Sequence, residues 1–375
     1  MSGRWVWLAV ALLMVSTRAH AYPYFQLTTG SAQCSQCHVG PAGGGLLTQW
    51  GQEEFGDTIA VGGDGRFLHG AITPPGWLQL GGNVRLAALA NDVGSSDGTE
   101  LAVFPMQLDL TMRLESGAWS AVGTLGARGR VRSGSPDSSD SSLASYVISR
   151  EHYLMWRPGP QGLYLRGGRF AAPYGLRIAD HTAYVRRYLG FNLLEETYNV
   201  GGGWSGSDSE LHATLFVHDP LQGAARKDLG AAVMFEKQVI ESLIVGASSR
   251  VGISDQVTRA QGGVHGKLWA EGAKVLLQGE LDVVRERFDS AGGDRWQLAA
   301  YAGPVFVPAR GIYAGVGYQV FAQDLQVRSV TRHAGDAWVS YFPRAHFEIM
   351  ASARAQWVGP AERAYLGMLQ LHYAL

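Results

Sequence analysis

The chain has 375 residues, a formal net charge of −1 and only 17% charged residues, so no global field favours nucleic acid or an anionic surface. It is rich in glycine (50) and aromatic residues (11 Trp, 15 Tyr), a mixture that suits strands joined by tight turns better than helices, where glycine costs about 1 kcal/mol. It holds just two cysteines, Cys34 and Cys37.

Residues 1–21 read as a signal peptide. Arg4 supplies a short basic start, Trp5 to Val15 an apolar stretch, and Ala19-His20-Ala21 a small-x-small cleavage site before Tyr22. The apolar stretch falls short of the ~20 residues that a spanning helix needs, which argues against a retained anchor.

The first segment of the exported chain, residues 22–75, is built around Cys34-Ser35-Gln36-Cys37-His38. Two thiols at this spacing reach the two vinyl groups on one porphyrin edge, and the adjacent imidazole becomes the proximal iron ligand. A redox disulfide, half of a zinc site and a plain structural disulfide are the competing readings. No βαβ pattern surrounds the motif, and no second ligand pair stands at zinc-finger spacing. Covalent haem c, one per chain, fits best. For a second axial ligand the expectation is His69, with Met106 or Met112 further along the chain as alternatives. Short helical turns are expected around Leu47 to Phe55, with Leu47, Trp50 and Phe55 covering a haem face, while Gly43-Gly44-Gly45 and Gly62-Gly63 interrupt any long helix. So small a segment would hardly bury a haem alone and should lean on something larger.

From residue 76 to 375 the pattern has period two. Leu108, Leu110, Met112 and Leu114 alternate with Asp109, Thr111 and Arg113, and Leu277, Leu281 and Val283 alternate with Gln278, Glu280 and Asp282. About sixteen such segments start near Trp77, Leu101, Ala118, Ser145, Gly162, Asn199, Glu210, Asp228, Ser242, Thr258, Ala273, Asp294, Gly311, Val327, Ala345 and Arg363. Most are longer than the 5 to 6 residues typical of soluble strands. Every second connection is tight (Ser116-Gly117, Pro158 to Pro160, Gly206 to Asp208, Glu271-Gly272, Phe342 to Arg344), and the intervening ones tend to be longer. The fold class expected is therefore all-β: a transmembrane antiparallel β-barrel of about 16 strands in the bacterial outer membrane, with chain ends on the short-turn, periplasmic side. Trp119, Trp156, Trp204, Trp269, Trp296, Trp338 and Trp357 would form interfacial girdles, and the last strand alternates up to Leu375 like an assembly signal.

In such a barrel Arg85, Asp109, Arg113, Arg128, Arg130 and Glu280 would point into a polar lumen. The row Arg128, Arg130, Arg132 could meet haem propionates or favour anions, with plain pore lining as the default. Pro173 to Thr197, containing Asp180-His181 and Arg186-Arg187, is the best candidate for a constricting loop, although an ordinary surface loop is the default for it. Ser133 to Ser142, with Asp137 and Asp140, reads as an external loop with weak potential for Fe(II).

The whole resembles the fused monohaem cytochrome–porins, the family that includes outer-membrane iron oxidases. Pro23-Tyr24-Phe25 and Thr29-Gly30 before the cysteines are similar to that family's lead-in, and Leu47-Thr48-Gln49-Trp50-Gly51 with Phe55 is similar to its Leu-Thr-Pro-aromatic-Gly segment, with Gln49 in place of proline. The resemblance implies a single-chain electron conduit between an extracellular donor such as Fe(II) and a periplasmic c-type cytochrome or other redox partner. A diffusion porin whose haem-bearing segment is a plug or redox sensor is the alternative. Neither needs nucleic acid, and whether the chain is an enzyme of the iron-oxidase type stays open.

Overall fold

The computed structural model describes residues 23–92, 98–127, 147–192, 195–219, 228–289, 293–359 and 362–375. The signal-peptide reading, the Arg128–Arg132 row and the Ser133–Ser142 loop lie outside them.

Residues with period-two alternation form one closed antiparallel sheet. Its strands are β1 (Leu78–Asp92), β2 (Glu100–Ser116), β3 (Trp119–Ala127), β4 (Val147–Ile148), β5 (His152–Trp156), β6 (Gly162–Phe170), β7 (Thr197–Ser205), β8 (Ser209–Val217), β9 (Leu229–Ile240), β10 (Leu243–Ile253), β11 (Val257–Ala270), β12 (Val275–Phe288), β13 (Asp294–Ala309), β14 (Ile312–Ala322), β15 (Arg332–Arg344), β16 (Phe347–Val358) and β17 (Glu362–Ala374). Both β4 and β5 pair with β3, so they are one interrupted stave, and the seventeen segments make sixteen staves. The barrel closes where β1 pairs with β17, from Asn83↔Ala374 to Asp92↔Tyr365. Closure leaves no edge strand, which is the condition for a sheet to sit in hydrocarbon.

The two faces are chemically opposite. On β8 the inward residues Glu210, His212 and Thr214 are buried, whereas Leu211, Leu215 and Val217 point out and are exposed. The same inversion runs around the wall, with Leu163, Leu165, Val200, Val251 and Leu281 outside and Arg250, Arg259, Gln278 and Glu280 inside. A water-soluble chain of this size would not leave so continuous an apolar exterior. Among the described residues no helix is long and apolar enough to cross a membrane. Tight turns collect on one rim: Ser116–Gly117, Glu271–Ala273, Arg310–Gly311 and Ala345–His346, the last lying just beyond the turn expected at Phe342 to Arg344, which still belong to β15.

Two segments fill the lumen. From the short-turn rim comes the N-terminal segment, with α1 (Pro23–Thr28), α2 (Cys34–Cys37), α3 (Gln49–Glu54) continued by a wide turn over Phe55–Ile59, and a short turn at Phe67–Gly70. It is fastened at that rim by backbone bonds from Val61 N–H to the Phe342 carbonyl (3.0 Å) and from Ala345 N–H to the Gly62 carbonyl (2.7 Å). Tyr24 packs on Tyr313 and stacks on Trp338 (centroids 5.3 Å apart), inside an apolar cluster with Ile59, Ile244, Leu276 and Phe342. Trp269 and Trp338 thus serve this lumenal cluster and not the outer girdle expected for them, because their strand parity turns them inward.

The second segment is the connection between β6 and β7. It folds into the barrel instead of lying on its surface. Tyr174, Leu176, Ile178, Tyr184, Val185 and Leu189 are buried against Val284, Ala299, Tyr301 and Phe321 of the wall, and α4 (Tyr184–Arg187) lies within it. Six large apolar side chains in one loop exceed what an exposed loop keeps in water. The loop is latched by wall carboxylates: Leu176 N–H donates to Glu280 Oε2 (2.8 Å) and Tyr174 Oη–H to Asp282 Oδ1 (2.8 Å). Arg85, Asp109, Arg113 and Glu280 face the lumen, as their alternation predicts.

Candidate functional site in the barrel lumen

The cysteine motif is held by a small hairpin. His38 and Leu47 form an antiparallel bridge, Val39 N–H donates to the Leu46 carbonyl (2.9 Å), and Thr48 N–H to the Cys37 carbonyl (2.8 Å). The chain reverses between them through Gly43, Gly44 and Gly45, all with φ between +69° and +82°, a conformation side chains resist. Thr48 caps α3, accepting from Gly51 N–H (3.0 Å) and donating to the Gln36 carbonyl (2.6 Å), which joins helix and cysteine turn. Gly51 packs so closely that a Cβ there would sit 2.4 Å from the Cys37 carbonyl oxygen.

Cys34 and Cys37 both occupy the single turn α2 and are not bonded to each other. Burial pushes both thiols up, Cys37 to about 12, and the Glu236 and Glu210 carboxylates push Cys34 further. His38 follows at once in extended conformation and is buried, and its Nδ1 has no hydrogen-bond partner. Burial and the nearby Arg177 charge lower its pKa to about 3, so the imidazole is neutral with a lone pair to give.

The wall holds the motif through residues that the sequence alone did not single out for this. Cys34 N–H donates to Glu210 Oε2 (3.2 Å), and Ser35 Oγ–H to Glu210 Oε1 (2.8 Å). Cys34 Sγ and one oxygen each from Glu210 and Glu236 lie within 4.8 Å of one another. Lys267 Nζ balances this charge, donating to Glu236 Oε1 (2.6 Å) and Gln26 Oε1 (2.5 Å). From the inward loop, Arg177 Nη1 donates to the Ala42 carbonyl (3.1 Å) and also to that of Gly43. The only sign of these partners in the sequence is inward parity, which marks Glu210, Glu236 and Lys267 as lumenal but does not name what they touch.

Cys34, Cys37 and His38 line one cavity with Leu47, Phe55, Ile59, Leu176, Met234, Phe342 and Leu375, and with Arg177 and Lys267 as cations. These residues fit a c-type haem: two unbridged thiols and an imidazole whose Nδ1 is without a partner open on a mainly apolar cleft. Leu47 and Phe55 line this cavity, whereas Trp50 is 42% exposed and does not. When bound, haem would supply one-electron Fe(II)/Fe(III) chemistry.

The structure does not bring the other expected ligands to this cavity. His69 sits at the rim, its ring against His346 (centroids 4.3 Å apart) and its Nε2 3.3 Å from the Tyr373 hydroxyl. Met112 is 43% exposed on the barrel's outer face, where the strand itself separates it from the lumen. Met106 points inward but lines a second chamber.

That chamber, about 750 Å³, runs beside the plug from Gly82 and Leu375 past Met106, Met350 and Met368 to Asp180 and His181 of the inward loop. Here Arg354 pairs with Asp180 (2.5 Å) and with Asp336, and Arg150 pairs with Glu196 (2.6 Å). Arg186 is held by the Ile178 carbonyl (2.6 Å).

No protein-family model and no curated protein matches the chain by sequence. Solved structures do. The barrel is similar to an anion-selective porin from Comamonas acidovorans, with a TM-score of 0.60 and 11% identity over 80% of this chain and 99% of that one. The fold is that of a sixteen-stranded porin barrel. Outer-membrane expressed OmpT of Vibrio cholerae (0.58, 11%, 81% of this chain and 100% of that one) and the outer membrane channel DcaP of Acinetobacter baumannii (0.57, 12%, 80% and 97%) share it.

Proposed function

We propose that this chain is an outer-membrane protein that passes electrons through one covalent haem housed in a porin-like barrel. The haem would be bound by Cys34 and Cys37 and ligated by His38. The observation that carries this reading is the placement of those three residues: they open on an apolar cavity inside the lumen, and the buried His38 Nδ1 has no partner. The apolar outer wall and the porin neighbours support a place in outer-membrane lipid. An extracellular donor, Fe(II) being the one the family resemblance implies, would reduce the site, and a periplasmic cytochrome would take the electron. No nucleophile or proton relay is needed, because the chemistry is the cofactor's.

The test starts with haem staining of the denatured protein, then reconstitution in liposomes with Fe(II) added outside. Covalent stain and appearance of reduced haem bands are expected. Stain without reduction by Fe(II) across a range of pH would overturn the iron donor. Absence of stain would overturn the haem.

A second reading, favoured by the likeness to solved porins and by the 750 Å³ chamber beside the plug, makes the protein a diffusion channel with a haem-bearing plug. It requires ion conductance in planar bilayers, whereas the electron-transfer reading is content with a closed pore.

A further inference from the structure

We propose that the sixth ligand of the haem iron is the thioether of Met234, supplied by the barrel wall. This rests on the reading that Cys34, Cys37 and His38 carry haem c. Of the methionines among the described residues, Met234 is the one that lines their cavity. It is 2% exposed on the inward face of β9, and it belongs to none of the buried apolar clusters. Its inward neighbour two positions on is Glu236, whose carboxylate lies within 4.8 Å of Cys34 Sγ. Two strand residues advance about 7 Å, so Met234 enters the cavity on the same wall strand, one inward position from the carboxylate that approaches Cys34. Its cross-strand partners His212 and Ser248 and its inward neighbour Glu236 are polar, and its sulfur is a soft donor suited to haem iron.

The other donors of the cavity are committed elsewhere. His346 has Nε2 2.9 Å from the Asp64 carbonyl and Nδ1 against that of Ala374, so each ring nitrogen abuts a main-chain oxygen. His372 has Nδ1 2.8 Å from Glu348 Oε2 and Nε2 3.3 Å from Asn83 Oδ1. Lys267 is held as an ammonium by Glu236 and Gln26. The thioether is neutral, needs no hydrogen bond, and is free to bind.

The experiment uses the full-length protein purified with its haem. Met234→Leu keeps volume and burial while removing the sulfur; Met155→Leu, at a buried methionine inside an apolar cluster, is the control. We expect the wild-type ferric protein to show the charge-transfer band of sulfur-ligated haem. Met234→Leu should lose it, admit carbon monoxide to the ferrous iron, and shift the midpoint potential downward, whereas Met155→Leu changes none of these. Met234→His should restore a low-spin spectrum at a potential below wild type, since thioether ligation raises the potential. A wild-type protein that stains for haem but lacks the band, or a Met234→Leu protein that keeps it, overturns the proposal. Wild-type protein without covalent haem overturns instead the reading on which the proposal rests.

Discussion

Ser35 Oγ–H donates to Glu210 Oε1 at 2.8 Å, fastening the middle of the cysteine turn to the barrel wall across 175 positions of sequence. The other oxygen of the same carboxylate accepts from Cys34 N–H. One wall residue therefore positions the whole attachment turn. Glu210→Ala removes the partner of the Cys34 N–H and leaves the buried Ser35 hydroxyl only the longer contact to Gln33 Oε1 (3.5 Å), at a cost of about 1–3 kcal/mol. We expect the mutant to fold as a barrel but to load less haem and to expose its first 75 residues to protease. Limited proteolysis with haem staining measures both, and wild-type protection and loading would contradict the role given to Glu210.

Gly51 gives a second, sharper prediction. Its missing side chain lets α3 touch the Cys37 backbone, where a Cβ would approach the carbonyl oxygen to 2.4 Å, well inside contact distance. Gly51→Ala improves helix propensity by about 1 kcal/mol, so a purely local account predicts stabilisation. The structure predicts the reverse, because helix and cysteine turn must move apart. Reduced covalent haem per barrel is the expected result, and the ratio of haem absorbance to protein reads it.

How much of this was legible beforehand differs by element. The staves were legible because period-two alternation is local: an inward Thr111 beside an outward Leu110 declares a wall without reference to anything else. The one start that slipped by several residues, Val327 against Arg332, did so because Arg328–Val330 forms a tight turn just ahead of the strand. Hidden were contacts between distant segments. Nothing near Tyr174 announces Asp282 as its acceptor, so Pro173 to Thr197 stands out as a candidate constriction without being distinguishable from a surface loop. His69 was the nearest histidine in sequence to the cysteines, yet its backbone, with φ of +57°, carries it to the rim beside His346. Met234 is far along the chain but close in the fold.

The inward loop has its own pH dependence. Asp180 accepts from Thr182 N–H (2.8 Å) and pairs with Arg354. Burial alone would raise its pKa, but the Arg354 charge and the Thr182 bonds outweigh burial and hold it below the ordinary carboxylate range. A carboxyl depressed on folding stabilises the folded loop above its unfolded pKa, near 4, and that contribution is lost as pH falls through the folded value. Acidification below pH 4 should therefore loosen the loop, and Asp180→Asn should remove this part of the dependence. Protection of the loop amides in hydrogen exchange, followed from pH 6 to pH 3, checks it; a loop equally protected in Asp180→Asn and wild type at every pH would contradict the latch.

The wall itself can be tested through Leu215, which is 67% exposed on the outer face of β8, well along the strand from Ser209 at the short-turn end, with Thr214 buried on the other face. In water an exposed leucine is replaced by arginine at almost no cost. In a bilayer the same substitution on the lipid face costs about 2–4 kcal/mol near the midplane and little near the interfaces. Leu215→Arg should therefore lower the unfolding free energy in lipid vesicles by that amount, while Ser209→Arg, at the β8 end beside the short turn to β7, should change it by less than about 1 kcal/mol. The contrast reads depth and not strand pairing, since both positions lie on the outer face of one strand of one barrel. Equal effects at the two positions in vesicles would mean that β8 does not cross a membrane, and the electron path argued from the lumen would lose its two sides.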